Sequence, residues 1–595
     1  MQLNRTGDRI EIHGSNYHVV FDRIAMLVRL RSLQGPLYYH QSMISAIDVI
    51  DCVDVTTDIA DIRARDEGEK IVVEIELTSR LWKRKLGVYV CEEDRVSYHV
   101  RVEGNGRIDR VYFFRGGFRE NQLASVPGFD FVYPACTNFL EKELFHASEY
   151  TSISAGHESF AWGYALASGP LCFALGDEGG DSWLSVGLVP TPQQWGFQSF
   201  EFNHRPAAFL AEPDAIVGTQ AFSITYYGHE TANGRWETPS LVMQFAANRH
   251  AAVEAYVDHL YSSGALIKAT SDPQPAWWAR PIFCGWHEQM SLGFSRDETR
   301  LSRNYLETGA RAQAACTQAN YERWLKILDE RGCRPGTVMI DALWQVAPDV
   351  NEVDPAKWPD LRGFIDACHG RNQRVLLWVD LWKHRSLPDD ECAVQDGKPV
   401  CADPTNPKYL ARLGEEIRFM LSDAQGCLNA DGFKIDGQTL QPYGYNFSTR
   451  GGVYGFALQR AIIEFIYRNA KRAKPDALIS LFSANPYFAD ICDMVRLGDL
   501  YTVRGDPIST MRRRARLIRT GMPGKLIDTD GAFRFNLTRP MQEILDEQVK
   551  LGIPTIYNAS AMTAHRVFCQ PIFEEWNSDR YRAIATAFAH CPGPS

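Results

Sequence analysis

Eight short apolar runs in the second half of the chain constrain its fold more than any other feature. They are PIFCGW (281–286), GTVMID (336–341), RVLLWVD (374–380), DGFKID (431–436), LISLFS (478–483), DMVRLGD (493–499), KLIDTD (525–530) and IPTIYN (553–558). Amphipathic stretches of helical period separate them, at 318–331, 358–371, 407–422, 455–472, 508–520 and 540–550. Apolar strands alternating with helices imply a parallel sheet buried on both faces, and eight such units close into a (β/α)8 barrel. One spacing fits badly. Only nine residues separate the fifth run from the sixth, too few for an ordinary helical crossover. The residues after 558 leave room for a closing helix.

The chain before residue 235 has a different texture. Segments such as DRIEIHG, KIVVEIELTSR, VSYHVRVEG and RIDRVYFFRGG alternate apolar and polar residues, with turn signals at DEGE, EGNG and RGG. Many short alternating strands predict an antiparallel β-sandwich. The helical stretch HAAVEAYVDHLYSSG and the Pro-containing TSDPQPAWWARP follow. The expected division is therefore a β-sandwich at 1–235, a helical linker at 236–274 and an α/β barrel with a closing C-terminal helix at 275–595.

Composition narrows the function. With 63 Lys and Arg against 73 Asp and Glu, the net charge of −10 argues against a phosphate-tracking nucleic-acid partner. The basic stretch MRRRARLIRT (511–520) then reads as a solvated helix flank. No run reaches 18 apolar residues, so no membrane helix is expected, and the N-terminus shows no signal-peptide pattern. The 14 cysteines form no CxxC pair and no zinc-type spacing with His. Many, including Cys91, Cys172 and Cys284, read as small buried hydrophobes, and a cytoplasmic location is the simplest expectation. No metal and no cofactor are expected. Self-association into a homo-oligomer is left open.

Five of the eight runs end in Asp: Asp341, Asp380, Asp436, Asp499 and Asp530. One such Asp is usually a helix cap. Five in register would ring the C-terminal mouth, where barrel enzymes keep their sites. In DGFKIDG the period of two puts Lys434 and Asp436 on the same side, and a lysine there keeps the carboxylate ionised and able to act as a nucleophile. Trp286, Trp344, Trp378 and Trp382 lie around the strand ends. Carboxylates and aromatics at one mouth suit a neutral polyhydroxyl ligand.

These residues carry a resemblance. RWLKILDERGCRPGTVMIDALWQ, WPDLRGFIDACHGRNQRVLLWVDLW, ADPTNP ahead of DGFKIDG, SANPYFADICDMVRLGDLY and LIDTDGAF, in that order, resemble the catalytic barrel of the retaining α-galactosidases and their α-glucosidase relatives, the melibiase-type glycoside hydrolases. The sandwich ahead of the barrel also matches. The resemblance implies Asp436 as nucleophile and Asp499 as acid/base. It implies Arg496, Lys434, Asp341 and Asp530 as contacts to substrate hydroxyls; from their places at the strand ends, Trp344 and Trp378 are expected to stack on the sugar. Asp506, in Arg504-Gly505-Asp506, is the competing acid, and its place before Pro507 also fits a helix cap. The implied activity is double-displacement hydrolysis of an α-linked glycoside or oligosaccharide, with galactose the first expectation and glucose the second. Galactose-specific members usually carry two adjacent acids after the second strand, whereas Ala342 follows Asp341 here. Transglycosylation on the same intermediate, and a non-catalytic carbohydrate-binding protein on the same fold, are the alternatives.

Overall fold

The computed structural model describes residues 1–595 apart from 115–127, 139–142, 147–151, 156–164, 168, 207–217, 268–273, 294–304, 499–505, 531–540, 567–568 and 592–595. Two antiparallel sheets build the N-terminal part. One has five strands in simple succession, from Gln2–Thr6 to Tyr38–Ser42. The other has thirteen, ending in Ser240–Ala246. Alternate residues of the first sheet, Ile12, Val19, Phe21 and Tyr39, face the second, and rings meet edge to face across the gap (Phe21 on Tyr89, 5.0 Å; Tyr39 on Phe222, 6.4 Å). The sandwich expected from the alternating pattern is thus present.

Its sheet runs past residue 235, because Ser240–Ala246 pairs with Trp183–Val189. The following helix, Arg249–Ser262, is capped by Asn248, whose side chain accepts from the amides of His250 and Ala251. It packs onto the sheet as well as leading away from it. The Tyr256 hydroxyl donates to the Leu188 carbonyl at 2.6 Å, and its ring lies where a Cβ on Gly187 would fall.

The eight apolar runs form one parallel sheet. Its strands are β1 (Ile282–Cys284), β2 (Thr337–Ile340), β3 (Arg374–Asp380), β4 (Gly432–Asp436), β5 (Leu478–Leu481), β6 (Met494–Arg496), β7 (Leu526–Asp528) and β8 (Thr555–Ile556). Neighbours in sequence are neighbours in space, and β8 pairs back to β1. A bridge between Asp528 and Ile553 joins β7 to the approach of β8, so the barrel is nearly closed.

The period of two sorts the side chains. Phe283, Val338, Ile340, Val375, Leu377, Phe433, Ile435, Ile479 and Val495 join the large core beneath the helices. Ile282, Met339, Leu376, Leu478, Met494 and Ile553 fill the barrel itself together with Trp277 and Trp278. Those two indoles stand at the N-terminal end, each donating to Asp476 just ahead of β5.

The short gap between β5 and β6 holds a 3-10 turn, Pro486–Ile491, in place of a crossover helix. The basic stretch is not wholly a solvated flank. In the helix Pro507–Gly521, Arg512 pairs with Glu547, but Arg514 is buried and donates to the carbonyls of Leu497 and Gly498 at the end of β6. The C-terminal stretch forms a hairpin, Ala561–Arg566 with Cys569–Glu575, and the expected closing helix, Ser578–Ala589.

The sandwich also leans on the loop that follows β4 and on the first turn of the helix after it, Gly455–Ala473. Phe197 stacks on Phe456 at 5.7 Å, His229 stacks on Tyr454 at 3.7 Å, and the His229 ring bonds the Gly444 carbonyl at 2.8 Å. The loop that leaves the fourth strand is therefore held by both parts of the chain.

Candidate active site

The inward positions at the C-terminal ends of the strands carry polar groups where the lower layers carry apolar ones. On β4, Lys434 and Asp436 point inward as the alternation requires, beside Trp378 and Asp380 in register on β3. Arg496 closes β6 and stands in register with Asp528 on β7. Asp341 follows β2, and Asp530 follows β7.

Lys434 and Asp341 form a buried ion pair, Nζ to Oδ2 at 2.5 Å. Cys284 Sγ sits 3.0 Å from the same oxygen and 3.6 Å from Nζ, so this cysteine is part of a polar cluster and not the plain buried hydrophobe expected. Burial pulls the Lys434 ammonium down, but Asp341 outweighs it and the lysine stays charged.

Asp436 accepts from Trp378 Nε1 at 3.1 Å and lies 3.4 Å from Arg496 Nη2, which also holds the Ile435 carbonyl at 3.0 Å. Desolvation pushes its carboxyl up. Arg496, Lys434 and the Trp378 donor more than offset this and hold it at about 2. Its side chain keeps 42% exposure while Arg496 behind it keeps 3%, so the ionised oxygens face the opening and the cation backs them.

Around this carboxylate stand others in a different state. Burial lifts Asp380 to about 7; Lys383 at 3.3 Å opposes the rise and neighbouring Asp436 adds to it. Burial, with Asp530 alongside, lifts Asp528 to about 6, although Thr555 and the Asp530 amide donate to its Oδ1. Asp530 is fully buried, accepts from the Tyr557 hydroxyl, and lies 3.9 Å from Arg496. An ionised Asp436 beside Asp380 and Asp528, whose carboxyls burial pushes up, is the division that acid–base and nucleophilic chemistry use.

The structure thus brings together Asp341, Trp378, Lys434, Asp436, Arg496 and Asp530. It does not bring Trp344 to the opening. That indole is 0% exposed and donates to the Trp378 carbonyl at 2.9 Å, so it braces β3 from within the core and is not the sugar platform expected. Trp382 is likewise buried, on the Gln438 carbonyl. Asp499 lies outside the described residues. Asp506 caps the helix Pro507–Gly521, accepting from the Ser509 amide at 3.1 Å and hydroxyl at 2.8 Å.

Three groups escaped the sequence reading: Cys284, Asp528 and Tyr557. Each was legible by parity. Cys284 is two residues beyond inward Ile282, Tyr557 two beyond Thr555, and Asp528 two before Asp530. His287, tilted against the Tyr557 ring at 4.8 Å, adds an imidazole to the same wall.

No family model matches the sequence. No curated protein matches it either. Solved structures do. An α-N-acetylgalactosaminidase from Bifidobacterium bifidum superposes with a TM-score of 0.60 at 12% identity, covering 98% of this chain and 92% of that one. A GH31 family sulfoquinovosidase from E. rectale reaches 0.50 at 11% identity, covering 99% and 82%. An α-galactosidase from Lactobacillus brevis reaches 0.50 at 10% identity, covering 99% and 84%. At such identities the likeness is one of fold, and it runs through sandwich and barrel alike. The chain therefore has the fold of the α-galactosidase- and α-glucosidase-type glycoside hydrolases.

Proposed function

We propose that the protein is a retaining α-glycosidase with Asp436 as its nucleophile. The observation that carries this reading is the state of Asp436: ionised down to about pH 2, half open to the mouth, and held by Arg496, Lys434 and Trp378 at the end of a barrel strand. A carboxylate that only closes a strand needs no such set of donors.

In this reading Asp436 attacks the anomeric carbon while Asp499 gives its proton to the departing glycosidic oxygen. The C–O bond to the leaving group breaks as the bond to Asp436 forms, through an oxocarbenium-like state. Asp499, now ionised, takes a proton from water, and the hydroxyl displaces Asp436 with net retention. Asp341 and Lys434 fix hydroxyls of the bound sugar, as do Arg496 and Asp530. The resemblance makes galactose the first substrate expectation; Ala342, standing where galactose-specific members carry a second acid, weighs against it and keeps glucose as the second. Every cysteine described is a free thiol, which supports a reducing compartment such as the cytoplasm. No helix among the described residues is long and apolar enough to cross a membrane.

The test is a panel of nitrophenyl α- and β-glycosides, with the anomer of the first product followed by NMR. Asp436→Ala should lose turnover, and azide should restore it partly as a glycosyl azide of opposite anomeric configuration. Cleavage confined to β-glycosides, or full activity in the variant without azide, would overturn the reading. Sugar transfer to an added acceptor in preference to water would favour the transglycosidase.

A further inference from the structure

The hairpin formed by Arg9–His13 and Tyr17–Asp22, in the five-stranded sheet, carries a second cluster of chemical groups. The alternation buries Ile10, Ile12, Tyr17 and Val19 against the other sheet, and so turns Glu11, His13 and His18 to the opposite face. His13 and His18 are direct cross-strand partners, and Glu11, two residues before His13, is diagonal to His18.

Their ligand atoms all lie within 4.8 Å of one another. The two imidazoles stack at 4.1 Å with planes 11° apart, so one ring must turn about its side-chain bonds for both in-plane lone pairs to meet at a shared ion. The His18 Nε2 nitrogen is shielded from solvent and makes no hydrogen bond. It stands 3.7 Å from the Glu11 carboxylate, too far for a hydrogen bond. That spacing suits two ligands of one ion, each about 2.0–2.2 Å from it.

We propose that Glu11, His13 and His18 form a binding site for a divalent cation of the zinc class. Two neutral imidazoles and one carboxylate are a set that zinc accepts, with a fourth position left for water. Calcium and magnesium, which prefer oxygen ligands, are excluded by the same chemistry. The ion would tie both strands of the hairpin together. One group works against it: Arg31 is in register with His18 on the next strand and adds positive charge.

The experiment is calorimetric titration of the full-length, EDTA-treated protein with zinc chloride. The wild type should bind one equivalent, and its melting temperature should rise with zinc. His13→Ala and His18→Ala should each lose both effects, while their melting temperatures without zinc match the wild type. Arg31→Gln, which leaves all three ligands in place, should bind zinc more tightly. Cobalt(II) in place of zinc should give the visible absorption of a four-coordinate ion in the wild type alone. Zinc uptake unchanged in both histidine variants, or none by the wild type, overturns the proposal and leaves a plain His–Glu pair.

Discussion

The two ends of β4 carry the same residue in opposite circumstances. Asp431 stands just ahead of the strand and Asp436 closes it. Five positions of alternation send the first outward to the helices and the second inward to the mouth. Asp431 is saturated: His369 at 2.7 Å, Arg374 at 3.1 Å, Lys474 at 3.4 Å and the Val375 amide at 2.8 Å all converge on a carboxylate only 1% exposed. Asp493, ahead of β6, is treated likewise by Lys471 and the Ile479 amide. At the mouth the accounts are left open. Among the described residues, Asp380 Oδ1, Asp528 Oδ2 and Asp530 Oδ2 are buried without a hydrogen-bond partner. A fold that needed these carboxylates only for stability would satisfy them as it satisfies Asp431. Buried polar groups held short of partners mark a place kept for something else.

That contrast can be broken by substitution. The largest effect should come from Asp436→Ala, with turnover down on the order of 10⁴-fold and folding stability changed by no more than about 1 kcal/mol. Asp431→Ala should do the reverse. It strands Arg374, Lys474, the His369 ring and a buried amide, so denaturant titration should show a loss of about 3 kcal/mol while the folded fraction keeps its activity.

A pH experiment sharpens the comparison. Asp380 is lifted from 3.8 to about 7, so the folded chain holds that proton more tightly than the unfolded chain does. The contribution to stability is full below about pH 4 and is lost as pH rises toward 7. Asp380→Asn removes the loss, and its advantage over wild type should be about 2–3 kcal/mol larger at pH 8 than at pH 5 in thermal melts. An equal advantage at both values would show that Asp380 carries no raised pKa. The smallest effect belongs to Asp506→Ala. A lost helix cap should lower stability by about 1 kcal/mol. Rates on substrates with good and poor leaving groups should fall together or not at all. Selective loss on poor leaving groups belongs to Asp499→Ala, and its appearance in the Asp506 variant would reassign the acid.

The barrel was legible because its signal is local. Each strand lies within an apolar run of six or seven residues, and two of the helices between them begin where Pro407 or Pro507, each behind a capping residue (Asn406, Asp506), says they should. The sandwich was legible as a class but not in extent, since Ser240–Ala246 reads like the other strands and only its pairing assigns it to the sheet. The small hairpin Cys392–Gln395 and Lys398–Ala402 went unread although Asp396-Gly397 is a hairpin turn signal with both residues at positive φ. Within the site, Lys434 and Asp436 followed from parity. Trp344 did not, because nothing in the sequence near a strand end tells whether an indole turns to the mouth or slides under the neighbouring strand. Cys284 failed for the opposite reason: its apolar neighbours made it look inert, and only Asp341 from another strand makes it polar.

The paired indoles of Trp277 and Trp278 have a consequence for traffic. They close the barrel at its N-terminal end, so nothing reaches the carboxylates from below. Under the proposed glycosidase reading, a sugar would come to Asp436 from the strand-end side alone, and its leaving group would have to clear that side before water could follow.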